Sequence, residues 1–91
     1  MKELVYILQS IKIYKVRNSD KKKEYPRCEG IYSSREKAEE MMQSLSSDNV
    51  FAKRLVSWQM HEIELDCIDG DLAVFKYDKD GHFLSEERYD G

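Results

Sequence analysis

Alternating apolar and polar positions predict that the chain begins with a strand. In residues 4–16 four aliphatic residues, Val5, Ile7, Ile11 and Ile13, share one parity, so an extended strand would bury these side chains together. The other parity begins apolar, with Leu4, Tyr6 and Leu8, and then becomes polar. We therefore expect a central strand that is buried on both faces in its first half and projects past its neighbours at its far end.

Residues 17–24 contain no apolar side chain, and their Asn-Ser-Asp cluster is typical of turns. They predict a solvated loop. Pro26 follows at a position where a missing backbone donor is tolerable. Arg27 to Tyr32 then predict a short strand that Gly30 bends or bulges.

A capping box predicts a helix from Ser33 to Leu45. The Ser33 hydroxyl would accept a hydrogen bond from the amide of Glu36, whose carboxylate would reach back. One apolar stripe follows at helical spacing, formed by Ala38, Met41, Met42 and Leu45. The polar positions, expected to face water, are Arg35, Glu36, Glu39, Glu40 and Gln43.

The second half of the chain predicts three more strands. The first spans Arg54 to Asp66, and its apolar parity changes near His61, which indicates a bulge or a change of buried face. The other two form a hairpin. Its segments are a turn at Asp69-Gly70, a strand over Leu72 to Tyr77, a turn at Asp80-Gly81 and a strand over His82 to Ser85.

These elements define an α+β fold in the order β-β-α-β-β-β. We expect a mostly antiparallel sheet of about five strands, with the amphipathic helix packed on one face. The crossover through the helix leaves room for one parallel strand pair. Residues 1–91 are expected to form a single domain, since the chain is too short for two.

Two segments resemble a family of small uncharacterised bacterial and phage domains. They are Gly30 to Glu40 (GIYSSREKAEE), where a short strand ends in a capping serine pair, and Trp58 to Asp66 (WQMHEIELD), where acidic and aliphatic residues alternate. The resemblance implies the same α+β fold. It implies no functional residue, because the family has no assigned chemistry.

Composition narrows the class of protein. Hydrophobic residues make up 41% of the chain, which is enough for a packed core despite a charged fraction of 36%. The first apolar run, Leu4 to Leu8, is too short for a signal peptide or a membrane span. Two cysteines are too few for a disulfide framework, so we expect reduced thiols, a cytoplasmic location and no membrane association.

The charge is unevenly distributed around a net value of -3. Residues 12–27 hold seven basic and two acidic side chains, whereas residues 62–91 hold ten acidic and three basic ones. Cations and aromatics interleave in the first region, as they do on nucleic-acid-binding surfaces. The candidate contact residues for a partner or nucleic acid are Lys12, Tyr14, Lys15, Arg17, Lys21, Lys22, Lys23 and Arg27.

No pattern predicts a catalytic residue, a metal site or a cofactor. The possible soft and imidazole ligands, Cys28, His61, Cys67 and His82, lack the spacing of a zinc site. The run from Asp78 to Gly81 fits a hairpin turn better than a calcium loop, which would need a carboxylate where Lys76 lies. The alternating acidic residues Glu62, Glu64 and Asp66 are typical of the solvent face of a strand.

We therefore expect a protein that is not an enzyme and that works by protein contact, as an adaptor or by self-association, with a homodimer among the possibilities. The contact would involve its charged ends or an exposed sheet edge. An alternative is a nucleic-acid-associated accessory protein that uses the basic region from Lys12 to Arg27. A third hypothesis, the least favoured, is a small thiol-dependent or hydrolase-like enzyme using Cys67 and His61.

Overall fold

A computed structural model describes residues 3–65 and 70–89 of the chain, which contain five strands and one helix. The elements are β1 (Leu4–Lys15), β2 (Lys22–Tyr32), α1 (Arg35–Ser46), β3 (Leu55–Glu64), β4 (Asp71–Asp78) and β5 (Phe83–Arg88). The strands form one sheet in the order β2-β1-β3-β4-β5, which confirms the predicted α+β fold. All four neighbouring pairs are antiparallel. The possible parallel pair does not form, because β1 lies between β2 and β3.

The β1-β2 hairpin is longer than the sequence predicts. Its ladder continues to the pair formed by Lys15 and Lys22, so residues 22–24 are strand instead of loop. The turn is closed by a 2.8 Å hydrogen bond from the Val16 amide to the Lys21 carbonyl. The pairing of β1 with β3 already stops at Lys12, so the end of the hairpin projects past the rest of the sheet, as expected.

A bulge in β2 lies beside Gly30, as predicted. Leu8 pairs with Gly30 and Gln9 pairs with Cys28, which leaves Glu29 as the extra residue. Gly30 has a φ of 141°, and a Cβ atom there would lie 2.6 Å from the Tyr32 hydroxyl oxygen. Only glycine fits this position without strain.

The helix begins one residue later than the predicted capping box. Ser34 is the N-cap, and its hydroxyl accepts a 3.2 Å hydrogen bond from the amide of Lys37. Either serine could cap the helix. With Ser34 as the N-cap, Arg35 faces the sheet, and its guanidinium lies 4.3 Å from the centroid of the Phe75 ring. We infer that this packing selects Ser34. The predicted pairing of Ser33 with Glu36 is therefore wrong.

The buried stripe of α1 is also rotated from the predicted one. Ala38 and Met42 are fully buried, and Leu45 packs against the core as expected. Met41, by contrast, is 38% exposed. Met41 was predicted to face the sheet. The buried face of the helix instead extends in the other direction, to Arg35 and Glu39, which were expected to face water. Both are half-buried and bound to the hydroxyl of Tyr77.

The core lies between α1 and one face of the sheet. Its largest side chains are the aromatics of β3 and β4, Trp58, Phe75 and Tyr77, each at most 1% exposed. On β1 the buried residues are Leu8 and Ser10, which pair with Met60 and Trp58. The parity that includes Leu8 therefore faces the helix, and the more aliphatic parity that starts at Val5 faces away.

Large aromatics explain this choice of face. Each one removes roughly 150–250 Å² from water, so the face that carries three of them gains most from the helix cover. The small side chain of Ser10 sits directly across from the indole of Trp58 and leaves room for it. Val5, Ile7, Ile11 and Ile13, which were expected to be buried together, share the opposite face of the sheet and are half-buried there.

Strand β3 contains the predicted irregularity near His61, as a register shift against β4 between Glu62 and Ile63. A second shift, at Val56, faces β1. Glu62 lies on the helix side of the sheet and is only 6% exposed, so its assignment to a solvent face is wrong. Asp66, predicted to end this strand, lies outside the described residues.

The final hairpin forms as predicted around Asp80-Gly81, although both of its strands are longer than expected. One carboxylate oxygen of Asp78 accepts hydrogen bonds of 2.9 Å from the amides of Asp80 and His82. These bonds, the one from His82 first, lower the pKa of Asp78. The predicted turn at Asp69-Gly70 lies partly outside the described residues, since Asp69 is not among them.

Candidate functional site

The sheet face opposite α1 carries aliphatic side chains that no described element covers. We call this surface the open face. Strand alternation and the cross-strand register place seven aliphatic residues on it: Val5, Ile7, Ile11, Ile13, Ile31, Ile63 and Val74. Five of them are half-buried by their neighbours in the sheet, Val74 is buried, and Ile31 is 65% exposed. A half-solvated antiparallel sheet normally has polar residues here.

A polar row crosses the middle of the open face. Gln9 pairs with Gln59, and Gln59 pairs with Lys76. His61 lies in the adjacent row and contacts the polar row. The Nε2 atom of His61 lies 3.0 Å from Oε1 of Gln9, and the Nδ1 atom of His61 lies 3.1 Å from a carboxylate oxygen of Asp71. These contacts are made within the chain, so the row is ordered without a partner. Aliphatic residues flank it on both sides.

The two edges of the sheet are less suited to a partner than the open face. Edge strand β2 contains Pro26 and the bulge at Glu29, and its outer half is rich in charge. Edge strand β5 is six residues long and carries Glu86 and Glu87. Proline, bulges, charge and short length all oppose the addition of a further strand.

The eight predicted contact residues do not form one surface. Alternation places Lys15 and Lys22 on the side of the open face, and Lys23 and Arg27 on the side of the helix. Arg17 and Lys21 lie at the turn. All six are exposed.

The other two predicted residues are engaged in packing. The Lys12 ammonium lies 4.2 Å from the centroid of the Phe51 ring. The Tyr14 ring packs edge-on against Tyr25, with 5.7 Å between the ring centroids. Arg54, which the sequence prediction omitted, lies 5.3 Å from the Tyr14 ring centroid. No local signal marks Arg54, because only the pairing of β3 with β1 brings it to the hairpin.

A hollow of about 470 Å³ lies beside the start of α1. The buried carboxylate of Glu62 accepts hydrogen bonds of 3.0 Å from the Tyr6 hydroxyl and from the Arg88 guanidinium. Burial, and next the bond to Glu62, raise the pKa of Tyr6. Among the described residues no buried side-chain polar atom lacks a partner. Tyr6, Glu62 and Arg88 therefore form one internal hydrogen-bonded group in this hollow.

Tyr77 forms a second internal polar cluster, between α1 and β4. Its hydroxyl donates a 2.9 Å hydrogen bond to the Glu39 carboxylate and accepts one of 3.3 Å from Arg35. Burial is the main cause that raises the pKa of Tyr77 to about 12. The cluster anchors the helix, and its tyrosine stays protonated at neutral pH.

Of the described residues with metal-ligating side chains, Asp78, Asp80 and His82 come within 4.8 Å of one another. The Asp78 carboxylate already accepts two turn amides and lies 3.2 Å from Nδ1 of His82, which fits a structural role in the hairpin. Cys28 is an exposed free thiol on β2, whereas His61 belongs to the open face. Cys67 lies outside the described residues, so its proposed pairing with His61 stays a prediction.

Comparison of the chain with protein-family models, with curated proteins and with solved structures finds no match. The resemblance to small bacterial and phage domains therefore stays a prediction. Within the described part of the chain, no helix has the length and apolar character needed to cross a membrane.

Proposed function

We propose that this chain is a non-enzymatic protein-binding domain and that the partner on its open face is a second copy of the same chain. The observation that carries this proposal is the placement of the seven aliphatic residues, on the face that α1 leaves uncovered. An aliphatic surface that no other described element covers is typical of interaction sites in soluble proteins. The described clusters of titratable groups are engaged in structural contacts, which favours binding over catalysis.

The arrangement of the open face suits contact with its own copy. The row of Gln9, Gln59 and Lys76 is polar throughout. Val5 pairs with Ile63, and the aliphatic rows also contain polar residues, such as His61 beside Ile7. A two-fold axis parallel to the strands would place each row opposite the same row of the other copy. The polar row would then meet the same polar row, and the pair of Val5 and Ile63 would meet the same pair, in the aligned packing of a β-sandwich.

The size of the open face also fits a dimer. Strands lie about 4.8 Å apart and rise about 3.3 Å per residue, so a five-stranded sheet with a ten-residue central strand presents roughly 600–700 Å² on one face. Stable interfaces bury about 800 Å² on each partner, with a range that begins near 600 Å². The open face reaches that range without any contribution from the edges.

Sedimentation equilibrium tests this proposal. We expect the wild-type chain to sediment at twice its monomer mass at micromolar concentrations, and Ile11→Lys to sediment as a monomer because a buried ammonium would meet its own copy. Val50→Lys is the matched control, since Val50 is 84% exposed in the loop after α1, away from the open face. It should remain dimeric.

Gln59→Glu provides a milder variant that keeps the core intact if Ile11→Lys fails to fold. Two facing carboxylates in the polar row should weaken the dimer, while the near-ultraviolet circular dichroism of the buried aromatics stays unchanged. A wild-type chain that stays monomeric up to about 1 mM would refute the proposal, because no useful affinity would remain. Equal loss of dimer in Val50→Lys would refute it as well.

A further inference from the structure

We propose, beyond self-association, that the projecting end of the β1-β2 hairpin and Arg54 form a binding site for a compact phosphorylated anion. A hollow of about 320 Å³ lies there, lined by Ile13, Tyr14, Lys15, Lys22 and Arg54. Three of these five residues are cationic, and none is acidic. The site combines two elements that are distant in sequence, the hairpin and the turn before β3.

The two lysines of the hollow oppose each other directly across the ladder. Lys15 and Lys22 are a register pair in an antiparallel hairpin, so their side chains leave the same face of the sheet. Like charges in this position destabilise the pair. A bound dianion between them would turn this repulsion into attraction.

Arg54 lines the hollow and has a strained backbone conformation. It has a φ of 69°, in the left-handed region that non-glycine residues seldom adopt. Its carbonyl accepts a 2.9 Å hydrogen bond from the Ile13 amide, and its guanidinium lies against the Tyr14 ring. Strain of this kind is concentrated at functional sites, where it fixes a side chain in place.

The chemistry of the hollow fits phosphate. A guanidinium presents two parallel donors to phosphate oxygens, and the two ammonium groups add point charges. The backbone amide of Lys15 is a further donor. By the alternation of the ladder it points to the same side of β1 as the Ile13 amide, and it lies past the point where the pairing of β1 with β3 ends.

A compact anion fits this hollow better than a nucleic-acid strand does. Strand binding uses free aromatic faces for base stacking, but the Arg54 guanidinium lies against the Tyr14 ring, and Tyr14 and Tyr25 pack on each other in a T-shaped contact. The remaining predicted cations point to both sides of the hairpin, so they do not line one groove. The net charge of -3 also disfavours a long polyanion.

Isothermal titration calorimetry with inorganic pyrophosphate, at constant ionic strength, tests the site. We expect saturable binding of one pyrophosphate per chain. Arg54→Gln and Lys22→Gln should each weaken it by about tenfold, the effect of losing one charge-assisted hydrogen bond. Lys53→Gln is the matched control, because Lys53 is exposed beside Arg54 but does not line the hollow, and it should change the affinity by less than about twofold.

A second variant separates binding from folding. Lys22→Glu should abolish pyrophosphate binding and yet raise the thermal midpoint of unfolding, because it places opposite charges across the ladder. Gln59→Glu, which should weaken the dimer and lies in the polar row away from the hollow, should bind pyrophosphate like the wild type, so this comparison separates anion binding from the dimer.

Three outcomes would overturn the proposal. One is the absence of pyrophosphate binding at about 10 mM, and another is equal weakening by Lys53→Gln. The third is tighter binding of a ten-residue oligothymidylate that Arg27→Gln weakens as much as Arg54→Gln does. That result would assign the hairpin to nucleic acid instead.

Discussion

The hydroxyl of Tyr77 joins the helix to the sheet through Arg35 and Glu39. The indole of Trp58 makes a comparable contact nearby, donating a 2.9 Å hydrogen bond to the Ser46 hydroxyl. Both aromatic residues thus combine apolar burial with one satisfied polar atom, as buried tyrosine and tryptophan usually do. At the scale of single residues, α1 is held to the sheet by these polar contacts as well as by Ala38 and Met42.

Tyr77 should make the folded state sensitive to alkali. An ordinary tyrosine ionises near pH 10, whereas folded Tyr77 keeps its proton until about pH 12. Its contribution to stability is therefore full below pH 10, and it is lost as the pH rises toward 12, because only the unfolded chain ionises in that window. Tyr77→Phe should cost about 0.5–1.5 kcal/mol at neutral pH through the lost hydrogen bonds.

Urea denaturation of both proteins between pH 7 and 12 measures this effect. The fall in unfolding free energy above pH 10 should be shallower in Tyr77→Phe than in the wild type. Identical slopes in the two proteins would show that Tyr77 ionises at its ordinary pH in the folded chain.

At the scale of elements, the start of α1 shows how packing chooses between equivalent local signals. Ser33 and Ser34 both precede helix-forming residues, and either can cap. The extended backbone of Ser34, with φ of -145° and ψ of 155°, makes it the N-cap. Ser33 instead lies 3.4 Å from the Lys37 ammonium.

Replacement of each serine in turn distinguishes the two caps. Ser34→Ala should lower the free energy of unfolding by about 0.5–2 kcal/mol, since it removes the acceptor of the Lys37 amide. Ser33→Ala is the control and should change it by no more than about 0.5 kcal/mol. Chemical denaturation measures both, and a larger loss for Ser33→Ala would return the cap to the predicted position.

Much of the fold follows from local sequence signals. Alternation predicted the strands, the serine pair predicted the helix, and Asp80-Gly81 predicted the last hairpin. The errors arose where a distant element decides. Residues 22–24 become strand because β1 offers them a ladder, and Met41 is displaced because Arg35 and Glu39 reach Tyr77.

The candidate sites were harder to predict for the same reason. The aliphatic parity of β1 is visible in the sequence, but the side that α1 covers depends on Trp58, Phe75 and Tyr77 in later strands. Likewise, Lys15 and Lys22 were among the predicted contact residues, whereas Arg54 joins them only through the pairing of β3 with β1. Strand alternation decides which of the predicted cations share a surface. Residues 17–24 were assigned to a loop from the sequence, so this alternation could not be applied to them.

At the scale of the whole molecule, one helix covers one face of a five-stranded sheet. A two-layer domain of this kind normally leaves a polar sheet face toward water. Here the uncovered face retains seven aliphatic residues. A second layer on that face would remove them from water and add to the free energy of folding.

Linkage between folding and dimerisation gives a concentration-dependent stability. If the folded chain dimerises and the unfolded chain does not, the thermal midpoint should rise with protein concentration. We expect a rise of several degrees between about 5 and 500 μM for the wild type and for Val50→Lys, and none for Ile11→Lys. Differential scanning fluorimetry measures this, and a wild-type midpoint independent of concentration would contradict the dimer.

The position of Trp58 also gives the molecule an optical reporter. It is the only tryptophan in the chain, it is 1% exposed, and its ring stacks on Phe51 at 5.5 Å between centroids. Its indole nitrogen donates a hydrogen bond to Ser46, the last residue of α1. The other side of its strand, β3, forms part of the open face. The fluorescence emission of Trp58 therefore reports whether α1 is docked on the sheet. In every variant of the open face, the same measurement shows whether the helix still covers the other face.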